Sequence, residues 1–184
     1  MGLIPAVDCS TLAPPEDCTT LFDIGEAIAA AAMIGLEPFI PQADCDPPIE
    51  SYVSLEKPAV IPGQDMLVVW LANFGPKAGG RPIGECSSGF WPDFEAEWRV
   101  ELWEHCYPSI DDLGRLPTPD ELHRINAHLY AHGGGVYNAV LASWLNKSGV
   151  YPPEVQNMTF GPLTPILPDS KVTGWKFTVR TTVA

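Results

Sequence analysis

The sequence predicts an α/β chain of the α+β type, in which an antiparallel or mixed sheet carries two or three packed helices and long Pro/Gly-rich loops join them. Three observations predict this fold. Apolar and polar residues alternate over residues 94–102 and again over 175–180, which is typical of half-buried strands. Apolar residues near helical spacing follow a strong helix start at Thr118. Clusters of proline separate the segments from one another.

The length and composition predict one domain. With 184 residues, of which 46% are hydrophobic, the chain can bury a sizeable core, and we expect a single domain over residues 1–184. Residues 1–18 are expected to be irregular. Residues 40–64 and 75–92 predict two long loops, because proline or glycine recurs throughout them.

The first predicted helix covers residues 21–36, with the sequence LFDIGEAIAAAAMIGL. Thr19 or Thr20 can cap its N-terminus, and Pro38 stops it. Its most apolar part is about half as long as the roughly 20 residues that cross a bilayer. We therefore expect a core helix and no membrane span.

Two strands are expected next. Residues 52–55 can form a short strand, but the surrounding prolines exclude it from the centre of a sheet. Residues 66–74 (MLVVWLANF) form a continuous apolar run, which predicts a strand buried on both faces.

The alternating segment at 94–102 predicts a strand with one buried and one exposed face. The exposed face should meet water or a partner. Its buried face should carry Phe94, Ala96, Trp98, Val100 and Leu102, and its exposed face Glu95, Glu97, Arg99 and Glu101.

A helix is predicted to begin after Thr118, where Pro119 suits the first turn and Glu121 completes a capping box. Three consecutive glycines at residues 133–135 should either break this helix or allow another backbone to approach closely. We expect a kink or two helices.

The C-terminal part predicts strands at residues 155–160 and 175–180, paired as a hairpin around a proline-rich loop that could serve as an arm toward a neighbouring subunit. In the second strand, Lys176, Thr178 and Arg180 should face outward. The residues assigned to the core are Trp98, Leu122, Ile125, Trp144, Trp175 and Phe177.

The histidines offer the strongest candidate for chemistry. His128 and His132 lie four residues apart on the predicted helix, and His105 or Cys106 could add a third metal ligand, as in a small metal-dependent hydrolase. However, Leu129 stands where the HExxH motif has its glutamate, and a polar stripe on a half-exposed helix gives the same spacing. We therefore predict no catalytic residue, no metal, no cofactor and no enzymatic activity.

The charge balance disfavours tight binding of nucleic acid. The chain has 10 basic and 23 acidic residues, a net charge of −13, and its basic residues are spread singly. The N-terminus lacks the pattern of a secretory signal, so we expect the chain to stay in the cytoplasm where it is made. The five cysteines show no CxxC spacing, which favours free thiols over one late disulfide such as Cys9–Cys18.

Residues 86–184 resemble the tail terminator proteins of long, non-contractile-tailed phages of actinobacteria. The glycine loop ECSSGFWP precedes the strand EAEWRVELWEHCYP, which leads into the turn DDLGRLPTPDEL. The helix HRINAHLYAHGGGVYNAVLASWL and a final pair of strands ending in GWKFTV follow.

This resemblance implies a structural subunit of the virion. Such a subunit would form a hexameric ring at the head-proximal end of the tail, in the neck region, after assembly in the host cytoplasm. It would bind the tail tube protein, stop tube polymerisation and offer a docking surface to the head-side connector, while DNA slides through an acidic lumen without specific binding. A head–tail connector ring, of the stopper or adaptor type, is the alternative.

The residues expected at interfaces are charged or lie in loops and turns. Trp91 is the strongest candidate for an interface anchor, because an aromatic side chain in a glycine-rich loop can insert into a partner surface. Packing against its own core is the alternative. The full set is Lys77, Arg81, Trp91, Glu95, Glu97, Arg99, Glu101, Asp111 and Asp112.

Overall fold

The computed structural model describes residues 21–37, 49–59, 65–77, 94–104, 118–146, 150–166 and 173–183. These residues form two helices and six strands. In chain order they are α1 (Leu21–Leu36), β1 (Glu50–Ser54), β2 (Met66–Pro76), β3 (Phe94–Glu104), α2 (Pro119–Leu145), β4 (Val155–Phe160), β5 (Thr164–Pro165) and β6 (Thr173–Val183).

The strands form one mixed sheet with the order β1-β2-β3-β6-β4, and β5 pairs with β6 beyond the end of β4. β1 runs parallel to β2, whereas the other neighbouring strands are antiparallel. The α+β fold class is therefore confirmed. β1 is an edge strand, as its proline-rich surroundings predicted, and β4 pairs with β6 as the predicted hairpin.

The two helices lie on the same face of this sheet, which we call the helix face. Gly25 of α1 lies so close to Val53 of β1 and Trp98 of β3 that an added Cβ would stand 2.7 Å and 2.8 Å from their side chains. A Cβ added to Gly133 of α2 would likewise stand 2.6 Å from the Trp175 side chain of β6. The main core thus forms between α1, α2 and the helix face.

The three glycines of α2 do not divide it into two helices, so the two-helix alternative was wrong. α2 is assigned as one α-helix of 27 residues. An added Cβ at Gly35 of α1 would overlap the backbone carbonyl of Gly135. The glycines therefore serve the other alternative, a close approach of two backbones.

The start of α2 confirms the predicted capping box. The Glu121 amide donates to the Thr118 hydroxyl at 3.3 Å, and the Thr118 amide donates to the Glu121 carboxyl at 2.8 Å. Pro119 occupies the first turn. These contacts satisfy two amide groups that a helix start otherwise leaves without partners.

The core assignments are confirmed for Trp98 and Phe177, which are buried. Trp144 is half-buried against the main core, and Trp175 is half-buried beside Tyr130. The side chains of Leu122 and Ile125 lie outside the described residues. The five cysteines, the candidate caps Thr19 and Thr20, and most of the two long loops also lie outside them.

Candidate functional site

The face of the sheet opposite the helices, here called the outer face, is the principal candidate for a functional surface. Strand register and the two-residue period of strands determine its members. They are Glu50, Tyr52 and Ser54 of β1, Met66, Val68 and Trp70 of β2, Glu95, Glu97, Arg99, Glu101 and Trp103 of β3, and Lys176, Thr178, Arg180 and Thr182 of β6.

A charged cluster occupies one end of the outer face. The carboxyl group of Glu97 lies between Arg99 Nη2, at 3.0 Å, and Arg180 Nε, at 2.8 Å. Glu97 and Arg180 are directly opposite each other on β3 and β6. A cleft of about 290 Å³ opens beside them, next to the β-bulge that precedes Asn73 on β2.

These positions agree with the expected exposure of three residues. Glu95 is exposed, while Glu97 and Arg99 are partly exposed within the charged cluster. Ion pairs at such positions contribute at most about 1 kcal/mol to stability. Because the arginine side chains remain accessible, the cluster can exchange its internal pairs for contacts with a partner.

Glu101 was expected on the exposed face, and that expectation was wrong, because Glu101 is only 7% exposed. Its Oε1 accepts a hydrogen bond from Trp70 Nε1 at 3.2 Å, and its Oε2 accepts one from Trp103 Nε1 at 2.9 Å. One carboxyl group therefore fixes two indole rings. The alternating pattern of β3 ends here, where Leu102 and Trp103 are both apolar and both buried.

An aromatic surface lies at the other end of the outer face, near the edge strand β1. Trp70 is half-buried, and its orientation is set by the bond to Glu101. The ammonium group of Lys57 lies 5.9 Å from the centre of the Trp70 ring, a cation–π distance. Tyr52 and Leu55 nearby are 46% and 48% exposed. Ordered aromatic side chains of this kind are common anchors in protein interfaces.

A second candidate is a buried polar cluster on the helix face. Asp65, Glu104 and His132 are 5%, 2% and 3% exposed, and His132 Nδ1 contacts Glu104 Oε1. Burial raises the pKa of the Glu104 carboxyl group and outweighs the opposing effect of His132, while Asp65 raises this pKa further. Buried groups with shifted pKa values are common at functional sites, although structural networks also contain them.

The burial of His132 corrects the prediction that the histidines form a polar stripe on a half-exposed helix. His132 is buried and paired across 28 residues with an acid at the end of β3. Such a pairing leaves no local signal in the sequence. His105, Cys106 and the side chain of His128 lie outside the described residues. Among the side chains that are described, no group of three or more His, Cys, Asp or Glu is arranged to hold a metal ion.

The remaining predicted interface residues are only partly placed. Lys77 follows β2 and is half-buried. The others lie outside the described residues: Arg81, Trp91, Asp111 and Asp112. Tyr52, Trp70 and Arg180 were not among the predicted interface residues, although Arg180 was expected to face outward. Only the sheet order brings them onto one face with the β3 charges.

No protein-family model matches the chain, and a search of curated proteins found no match either. Neither described helix combines the length and the apolar character that a membrane span requires.

Proposed function

We propose that the chain is a structural subunit of a phage tail and acts as its tail terminator, without catalysis. The observation that carries the proposal is the one-sided arrangement of the fold. Both described helices lie on one face of the sheet, and the outer face presents accessible charges at one end and the partly exposed rings of Tyr52 and Trp70 at the other, beside a small buried cluster of Met66, Val68 and Trp103. A subunit of this kind has its main core on one side and accessible groups for assembly on the other.

In this proposal, copies of the chain form a ring at the head-proximal end of the tail tube. One side of the ring matches the last ring of tube protein, and the other side differs enough to stop further addition and to receive the head-side connector. The resemblance of residues 86–184 to tail terminators favours this role. The net charge of −13 suits a lumen through which DNA slides without sticking, and a ring with a basic lumen would contradict that part.

The decisive experiment is electron microscopy of tails assembled in cells that lack this protein. We expect tubes of abnormal length. Tails of normal length without heads would instead indicate a head–tail connector and would overturn the terminator role. Stoichiometric zinc in the purified protein would contradict a purely structural function.

A variant of the outer face provides a sharper form of this test. Arg180→Glu places a second acid against Glu97, and we expect tails of irregular length when it replaces the natural chain. Glu26→Lys is a matched control, because Glu26 is exposed on α1, away from the sheet. Tails of normal length with Arg180→Glu would remove the outer face from the assembly surface.

A further inference from the structure

Two strands form the edges of the described sheet, β1 on one side and β4 on the other. Their side chains are largely exposed: Glu50, Ser51 and Tyr52 on β1, and Gln156, Asn157 and Thr159 on β4. Monomeric proteins usually protect such edges with lysine, proline or a bulge, because unpaired backbone groups attract other strands. β4 (VQNMTF) contains no charge and no proline, and β1 (ESYVS) contains only Glu50. A bulge after Val155 affects one end of β4 alone.

The directions of the two edges are complementary. β1 runs parallel to β2, and three antiparallel pairings lead from β2 through β3 and β6 to β4. β4 is therefore antiparallel to β1. In a ring whose axis follows the strands, every copy keeps the same strand direction, so β4 of one copy would meet β1 of the next in an antiparallel arrangement. Antiparallel pairs have the better hydrogen-bond geometry.

We propose that β1 of one copy pairs with β4 of the next, which joins the sheets of neighbouring subunits into one continuous sheet around the ring. The inference rests on the proposed function, because it names the contact that closes that ring. The partner is a second copy of the chain, since both halves of the contact, matched in length and direction, are present in each subunit. The interface is head-to-tail and uses both edge strands, β1 and β4, of the described sheet in every subunit.

The two faces of the sheet restrict the register of this pairing to shifts of two residues. Val53 and Met158 lie on the helix face, whereas Tyr52 and Thr159 lie on the outer face. Pairing Val53 with Met158 and Tyr52 with Thr159 keeps both faces continuous. A shift by one residue would place the side chains of one strand on the opposite face.

This register also keeps the pairing clear of the β-bulge in β4. With Tyr52 opposite Thr159, residues 51–54 of β1 lie opposite residues 157–160 of β4, and the bulge between Val155 and Asn157 falls beyond the end of β1. Moving Tyr52 opposite Asn157 would keep the two faces but would place Val53 and Ser54 opposite the bulge, where the ladder is disrupted.

Chemical cross-linking tests the contact in the full chain. Tyr52→Cys combined with Thr159→Cys should give a ladder of covalent multimers with a short bifunctional maleimide. Tyr52→Cys with Gln156→Cys is the matched control, because Gln156 is also exposed on β4 but three residues out of register. The natural cysteines are controlled by treating the unchanged chain in parallel. Equal ladders in both variants, or rings in mass photometry without a ladder, would overturn the edge pairing and leave the tail terminator role standing.

Failure of the tail terminator role itself would appear separately, as tubes of normal length in cells that lack the protein.

Discussion

Among the described acidic residues, Glu104 is the least exposed, at 2%. It lies at the end of β3 with His132 and Asp65, and all three side chains are buried. Desolvation disfavours its charged form, and the nearby acid adds to this effect, so its pKa is raised despite the contact with His132. The folded protein consequently binds a proton at this carboxyl group up to a higher pH than the unfolded chain does.

Glu104→Gln should flatten the dependence of stability on pH. A carboxyl group with a raised folded-state pKa contributes stability that is fully present below its unfolded-state pKa and is lost as the pH rises through its folded-state pKa. As the pH rises through the folded-state pKa of Glu104, the free energy of unfolding of the natural chain should therefore fall relative to that of Glu104→Gln. Urea unfolding at a series of pH values measures this difference. Glu95→Gln, at an exposed position of the same strand, should run parallel to the natural chain. Parallel curves for Glu104→Gln as well would contradict the prediction.

Glu101→Ala should lower the free energy of unfolding by about 2 kcal/mol or more, because two indole N–H groups would lose their acceptor and Trp103 is buried. The change should also alter the tryptophan fluorescence of the folded state. Glu95→Ala is the matched control, since Glu95 is exposed on the same face of β3. A loss no greater than that of the control would mean that the two hydrogen bonds contribute little.

At the scale of elements, the pair of helices depends on small residues at their contact. Gly35 of α1 meets the backbone of Gly135, and Gly133 lies against the ring of Trp175. Gly134, between these two glycines of α2, has open space around its missing side chain. The three consecutive glycines therefore differ in packing: Gly133 and Gly135 have close neighbours, and Gly134 has none within 4 Å of an added Cβ.

Gly134→Ala should stabilise the protein by about 0.5–1 kcal/mol, because alanine favours a helix interior and meets no neighbour there. Gly35→Ala should destabilise it, because the new methyl group would overlap the carbonyl of Gly135 and push the helices apart. Thermal unfolding of the two variants measures this contrast. A similar change in both would show that helix propensity, and not packing, determines the effect at these sites.

At the scale of the whole molecule, the net charge opposes assembly. Copies that each carry a charge of −13 repel one another, and salt screens this repulsion over about 10 Å at 0.1 M ionic strength. Backbone pairing between strand edges depends far less on salt. Assembly through strand edges should therefore strengthen as salt is added.

Sedimentation of the purified chain at low and high ionic strength checks this expectation. The fraction in rings should rise with salt. Rings that dissociate at high salt would instead indicate an interface held by ion pairs, such as those of the Glu97 cluster.

The features that follow from neighbouring residues could be predicted from the sequence. The bounds of α1, the capping box at Thr118 and the alternation of β3 up to Val100 depend on contacts within a few positions, and each was confirmed. Local propensity, capping and periodicity act at this range, so a single sequence contains them.

Only the tertiary structure decided the features that join distant residues. The burial of Glu101 depends on an indole from β2, the burial of His132 on an acid 28 positions away, and the close approach of the two helices on Gly35 and Gly135. The order of the strands places Tyr52 and Trp70 on one face with the charges of β3. The sequence by itself thus determined the α+β class, the bounds of α1 and β4 and the start of α2, because these arise from local periodicity and capping. The sheet order determined which side chains form the core, the buried acid–histidine pair and the surface proposed for assembly, because non-local packing overrides local pattern.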